Sequence, residues 1–172
     1  MEKTEQNTQK LSVAMWHEMR FDANPIPLCT TVSGVSMYPL IRKGRDVMVI
    51  HHVKRPLACG DIVLFHDPVR ERYVLHRVWS LTPDRVLTWG DNCLRPDGWM
   101  KPEMVWGVAV AMKRGKRMLR FESDTARKIG IAFAKLRHFY CRSKSRAYRA
   151  ALRLPAPVKT VLKRARNVFV KA

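Results

Sequence analysis

Between residues 47 and 112 the chain alternates short apolar runs with turn-forming residues. Segments 47–50, 62–65, 73–79, 85–88 and 105–112 are rich in Val, Ile and aromatic residues, with Gly, Pro and Asp between them. Runs of this length, bounded by turn formers, predict β-strands. The expected fold is mainly β, a compact β-domain over residues 25–122. An N-terminal extension, 1–24, precedes it. Within that extension residues 11–21 predict a short packing helix with Leu11, Ala14, Met15 and Met19 on one face.

After residue 122 the period changes from strand to helix. Ser123 and Asp124 are suitable N-caps. Beyond them Ile129, Phe133, Leu136, Tyr140, Ala147, Tyr148 and Ala151 recur at three-to-four spacing, the stripe of an amphipathic helix. Pro155-Ala156-Pro157 stops that helix and permits a second, with Val158, Val161, Leu162, Ala165, Val168 and Phe169 on one side. Residues 123–172 therefore predict a basic α-helical extension of the β-domain.

Charge sharpens that division. The chain carries 33 Lys and Arg against 14 Asp and Glu, and residues 113–172 hold 19 of those cations with only Glu122 and Asp124 opposing them. Basic amphipathic helices lie on membrane surfaces, where a cation near an anionic leaflet contributes about 1 kcal/mol. An anionic membrane surface is thus the expected partner of residues 125–172. Packing of the stripe on the β-domain is the second expectation. Nucleic acid ranks third, because no recognised binding module accompanies the charge.

The longest uncharged stretch, 24–41, has about the length of a membrane span. It contains Pro25, Pro27, Gly34 and Pro39 and is not read as one. The start, Met1-Glu2-Lys3-Thr4-Glu5-Gln6, is polar and lacks a following apolar core, so no secretory signal is read. The expected setting is cytoplasmic or peripheral to a membrane. In such a setting Cys29, Cys59, Cys93 and Cys141 are expected as reduced thiols, with Cys93 in packing. His51, His52 and His66 read as strand-surface histidines and not as a metal site.

Three residues in order suggest hydrolytic chemistry. Ser36 lies in the Gly/Pro-bounded run Ser33-Gly34-Val35-Ser36-Met37-Tyr38-Pro39, His76 lies in a β-like run, and Asp91 and Asp97 follow. A serine hydroxyl needs an adjacent base to attack a carbonyl at neutral pH. Histidine titrates in the right range, and a carboxylate on its other nitrogen fixes the tautomer. The ordinary alternatives are a cross-strand surface histidine for His76 and a turn aspartate for Asp91.

The same residues resemble the type I signal peptidases. Ser36-Met37-Tyr38-Pro39 followed by Gly44-Arg45-Asp46-Val47-Met48-Val49 is similar to that family's nucleophile box, with Arg45 inserted in the usual Gly-Asp. Gly60-Asp61-Ile62-Val63-Leu64-Phe65 resembles its second Gly-Asp strand. Val74-Leu75-His76-Arg77-Val78 falls where the archaeal and endoplasmic-reticulum branch has His-Arg, and Gly90-Asp91-Asn92 and Gly107-Val108-Ala109 resemble the closing boxes. The likeness spans about residues 32–110. It implies a signal-peptidase-like β-domain in which Ser36 is the nucleophile and His76 the general base. Asp97, six residues after the Asp of Gly-Asp-Asn, is preferred to Asp91 as the acid. The Ser36 backbone N–H, with Ser33 as a second donor, forms the oxyanion hole.

The implied function is a serine endopeptidase cleaving signal-like or leader peptides of precursor proteins after small residues, with neither cofactor nor metal. Two alternatives stand beside it. A self-cleaving repressor-type peptidase shares the Ser-Met-x-Pro box but uses a lysine base. A non-catalytic peptidase-like module would bind membrane or nucleic acid through its tail.

Overall fold

The structure, a computed structural model, describes residues 13–19, 26–68 and 70–152. In chain order the elements are α1 (Val13–Glu18), β1 (Leu28–Thr31), β2 (Val47–His52), β3 (Ile62–Asp67), β4 (Arg72–Leu81), β5 (Val86–Trp89), β6 (Gly98–Met100), β7 (Val105–Arg114), β8 (Arg117–Arg120) and α2 (Asp124–Leu152). The fold is mainly β with a C-terminal helix, as the alternating pattern predicts.

All eight strands belong to one antiparallel sheet in the order β1-β2-β7-β3-β4-β5-β6, with β8 also on β7. β7 pairs β3 along its first half and β8 along its second. Bulges shift the register at Val49/Ile50, Leu64/Phe65 and Val78/Ser80. Such insertions bend and twist the strands that carry them. Alternate residues of β3 feed two separate cores. Ile62 and Leu64 join Met37, Ile41, Met48, Ile50 and Met112, while Val63 and Phe65 join Val74, Val78, Val86 and Val108.

Three strands fall outside the sequence expectation, and β8 explains why. Its four residues, Arg-Met-Leu-Arg, are all exposed, and pairing across the turn at Gly115 and Lys116 defines it. The N-terminal helix also buries a different residue from those expected. Trp16 is fully buried and stacks on His52, whereas Met15 is exposed and Leu11 lies outside the described residues.

The C-terminal helix departs furthest from its expected placement. Ser123 caps it, its Oγ accepting from the Ala126 N–H at 3.1 Å. From there α2 packs on the β-domain, but not through the predicted stripe. Ile129, Leu136 and Tyr140 are exposed, while Gly130, Ala134, His138 and Cys141 face inward. Arg127 Nε donates to Asp61 Oδ1 at 2.7 Å, and the Arg77 guanidinium rests against Gly130. A Cβ on Gly60, whose φ is +97°, would lie 2.8 Å from the Arg127 carbonyl oxygen. Close approach therefore selects glycine here for space as well as for backbone conformation. The predicted second helix lies outside the described residues. Among the described residues no helix is long and apolar enough to cross a membrane.

Candidate active site

Ser36 sits in a turn fastened from both sides. The Tyr38 N–H donates to the Val35 carbonyl at 3.1 Å and the Ile41 N–H to the Met37 carbonyl at 2.9 Å. Met37 is buried in the core, and its Sδ accepts from the Asp91 N–H at 3.4 Å. From the facing loop Asn92 donates its N–H to the Ser36 carbonyl at 2.6 Å and its Nδ2 to the Val35 carbonyl at 3.0 Å. Gly90-Asp91-Asn92 is thus the clamp on the serine turn. Downstream, buried Asp46 holds the end of the same segment. It accepts from the Arg42 N–H at 2.8 Å and from two nitrogens of Arg114, which lower its pKa. The Arg45 insertion leaves this aspartate buried in its network.

His76 and Arg77 are successive residues of β4 and point to opposite faces. That alternation separates the two candidate acids. Arg77 Nε and Nη2 donate to the two Asp91 oxygens at 2.9 and 2.8 Å, with both side chains buried. On the other face His76 Nδ1 lies 2.6 Å from Asp97 Oδ2. The same Asp97 oxygen accepts from Thr88 Oγ1 at 2.8 Å, and the Asp97 N–H donates to the Thr88 carbonyl at 3.0 Å. β5 therefore holds the acid in place, and the acid holds the imidazole. Asp91 is committed to a buried ion pair.

The other nitrogen of His76 faces Cys93. An ideal Cβ on Gly90 would fall 2.7 Å from His76 Nε2 and 2.8 Å from Cys93 Sγ, so glycine is what leaves room for both groups. Burial pulls the His76 pKa down, but the bond its Nδ1–H donates to Asp97, with Cys93 nearby, outweighs it and raises the pKa to about 9. Among the described residues no hydrogen bond joins the Ser36 hydroxyl to His76. The structure brings His76 and Asp97 together and sets the Ser36 turn against the loop that carries Cys93. Ser33 is exposed, and among the described residues no hydrogen bond holds its hydroxyl.

Neither a protein-family model nor a curated protein matches the chain.

Two participants escape the sequence reading. Cys93 abuts the same face of Gly90 as His76 Nε2, and its N–H returns to the Gly90 carbonyl at 2.9 Å, a turn that Gly-Asp-Asn signals. His138 reaches the same loop from α2. Its Nε2 lies 3.0 Å from the Gly90 carbonyl, its ring stacks on Trp89 at 3.8 Å, and its buried Nδ1 has no partner. Burial, the largest influence, lowers its pKa. Protonation would place an unpaired N–H in the interior, so neutral His138 donates from Nε2. Arg137 Nη2 adds a bond to Asn92 Oδ1 at 2.7 Å. The three histidines read as strand residues stay with the sheet: His52 stacks on Trp16, His66 sits among Tyr73 and Trp106, and His51 is exposed. All four cysteines are free.

Proposed function

We propose that the protein is a serine endopeptidase resembling the histidine branch of the type I signal peptidases, with Ser36, His76 and Asp97 as its triad. The observation that carries this reading is the 2.6 Å contact between His76 Nδ1 and Asp97, with Nε2 against Gly90 of the loop whose Asn92 bonds the Ser36 carbonyl. Asp97 fixes the tautomer that leaves Nε2 as proton acceptor. Ser36 attacks the scissile carbonyl as His76 takes its proton, and the imidazolium then protonates the leaving amine. The Ser36 N–H stabilises the oxyanion, with Ser33 as second donor; one such donor is worth roughly 3–4 kcal/mol. Substrates are signal-like or leader segments with small residues before the cut. The histidine at position 76 favours this reading over a repressor-type enzyme with a lysine base.

The pH dependence follows from the base. His76 must be neutral to accept a proton, and its pKa is raised to about 9. Below that value each pH unit multiplies the neutral fraction by about ten. Cleavage of a signal-like peptide should therefore climb by about that factor from pH 7 to 8 and level off near 9. A kcat/KM profile that is flat from neutrality upward would contradict His76 as the base.

We further propose that the outward face of α2 rests on an anionic membrane surface. Ile129, Leu136, Phe139 and Tyr140 are 64%, 69%, 71% and 52% exposed, a large apolar surface for a helix already docked on its other side. At ~100° per residue, Lys128, Lys135 and Arg146 flank that stripe on one side and Lys144 on the other. This is the layout of a helix lying in a lipid interface. The protein should float with anionic vesicles, poorly with neutral ones, and less in raised salt. Leu136→Glu with Phe139→Glu should abolish flotation while leaving the thermal transition within roughly 0.5 kcal/mol, as both residues are exposed. Unchanged flotation of the double variant would reject the surface. Binding to duplex DNA with a steep salt dependence would assign the charge to nucleic acid instead.

A further inference from the structure

We infer that the cleft between α2 and the loop following β5 is a binding site for a phosphate group, held by Arg137 and Lys144. The cleft measures about 290 Å³. Asn92 and Leu94 form its loop wall, and Arg137, Tyr140, Lys144 and Ser145 its helix wall. That volume is at the small end for a ligand site, with room for a phosphate ester but not for a drug-sized molecule.

Charge decides the class of ligand. After Asp124 the helix contains no acidic residue, and Asp124 itself is paired with Arg127. Among the described residues neither Arg137 nor Lys144 has a carboxylate partner. Seven residues apart, they stand two turns from each other, about 10 Å along the helix axis. Arg137 narrows that gap. Its Nη2 donates to Asn92 Oδ1 at 2.7 Å, the same oxygen that takes Cys141 Sγ at 3.5 Å, and its Cζ lies 5.0 Å from the centre of the Tyr140 ring. The guanidinium is therefore turned along the helix toward Lys144 and fixed by an edge and a face. Of its donors Nη2 is used on Asn92, and Nε is buried with no partner among the described residues. A buried donor without an acceptor is uncommon in a folded protein. A planar fork held in place beside an exposed ammonium and the Ser145 hydroxyl, with no acid among them, is a donor set for phosphate: the fork takes two oxygens and the ammonium adds a point charge.

The rim adds a second preference. Leu94 and Tyr140 are 50% and 52% exposed, and Tyr140 also belongs to the outward apolar stripe of α2. A phosphate carried on a diacylglycerol would lay its chains along that stripe. A lipid headgroup is thus one source of the phosphate, an assignment that rests on the membrane placement of α2, and a soluble phosphate ester is the other.

Calorimetric titration of the full chain tests the site with inorganic phosphate, glycerophosphoglycerol and monomeric dihexanoylphosphatidylglycerol, which is the same headgroup with chains. Lys144→Gln is the cleanest variant, because Lys144 is exposed and, among the described residues, makes no bond to the clamp on Ser36. Arg137→Gln is the second, although it also removes a bond to Asn92. Arg146→Gln takes the same charge from the opposite flank of the stripe, outside the cleft, and serves as the control. Wild type should bind all three probes. Lys144→Gln and Arg137→Gln should each bind at least about tenfold more weakly, and Arg146→Gln should match wild type. Given that pattern, tighter binding of the phospholipid than of glycerophosphoglycerol supports the site with a headgroup as source, and equal binding supports it with a soluble ester as source. Equal weakening in all three variants means diffuse attraction to the basic helix and overturns the inference. So does failure of wild type to bind any probe at millimolar concentration. Failure of the membrane placement is distinguishable. If the probes bind through Arg137 and Lys144 but the protein does not float with vesicles, the site stands and the placement falls; if it floats but binds no probe, the placement stands and the site falls.

Discussion

Ser36→Ala should abolish peptide cleavage, with a loss on the order of 10⁴–10⁶ in kcat, while the folded state is unchanged. Ser36 is half-buried, and its carbonyl, not its hydroxyl, carries the bond from Asn92. Alanine keeps that carbonyl, so the clamp on the turn survives and circular dichroism and the thermal midpoint should match wild type. His76→Ala should lose activity on the same scale, but the two variants differ in stability. His76 is buried between Asp97 and Phe65, so alanine leaves a cavity in the second core. His76→Gln, closer in volume, keeps the fold comparison clean. Equal, total loss in Ser36→Ala and His76→Gln, with no further loss in the double variant, is the signature of groups that act as a unit. Independent, additive losses would argue against a shared proton transfer.

The two aspartates should separate by readout. Asp97→Asn puts an amide against His76 Nδ1 and favours the wrong tautomer, which costs about 10⁴ in kcat in an enzyme built this way. Stability should change little, because Thr88 bonds the same Asp97 atom as His76 and its hydroxyl can rotate to accept from the Asn amide. Asp91→Asn has the opposite profile. It removes the charge that compensates Arg77 where both side chains are buried, a change worth roughly 3–5 kcal/mol. The thermal midpoint should fall sharply, and activity measured well below that midpoint should remain. Kinetics and thermal unfolding on the pair distinguish the assignments. A catalytic collapse in Asp91→Asn with an active Asp97→Asn would move the acid to Asp91.

The choice between those acids shows what could be read from the chain. Neighbouring strand residues face opposite ways, so a His-Arg pair in β4 needs two separate acceptors, and the sequence offers two aspartates six residues apart. The strands that fill the cores were equally legible, because Val, Ile and aromatic residues mark buried positions. β8 was not, since its residues are exposed and only pairing defines it. The placement of α2 misled for a different reason. Hydrophobicity picks out Ile129, Leu136 and Tyr140, whereas a helix that approaches a sheet closely selects small residues such as Gly130 and Ala134. The inner face is further specified by polar contacts, Arg127 with Asp61 and His138 with Gly90, which no apolar period reveals. Cys93 carries no local pattern at all. Only the turn at Gly90 brings it to the face of that glycine that His76 also abuts.

The docked helix also changes how the site should be probed. Removing residues 123–172 would take away the bonds that α2 makes to Asp61, Asn92 and the Gly90 carbonyl together, disturbing the clamp on Ser36. Point substitutions on the outer face of α2 test surface binding without that penalty.

The central claim is that Ser36 is a nucleophile driven by the His76–Asp97 pair, and a fluorophosphonate probe tests it without knowledge of the substrate. Mass-spectrometric mapping of the labelled wild-type protein should place one adduct on Ser36, formed faster as pH rises toward 9. The adduct should be absent in Ser36→Ala and strongly slowed in His76→Gln. Failure of the wild type to label at any pH, or an adduct elsewhere that survives Ser36→Ala, would contradict the account and leave a peptidase-like domain without peptidase chemistry at Ser36.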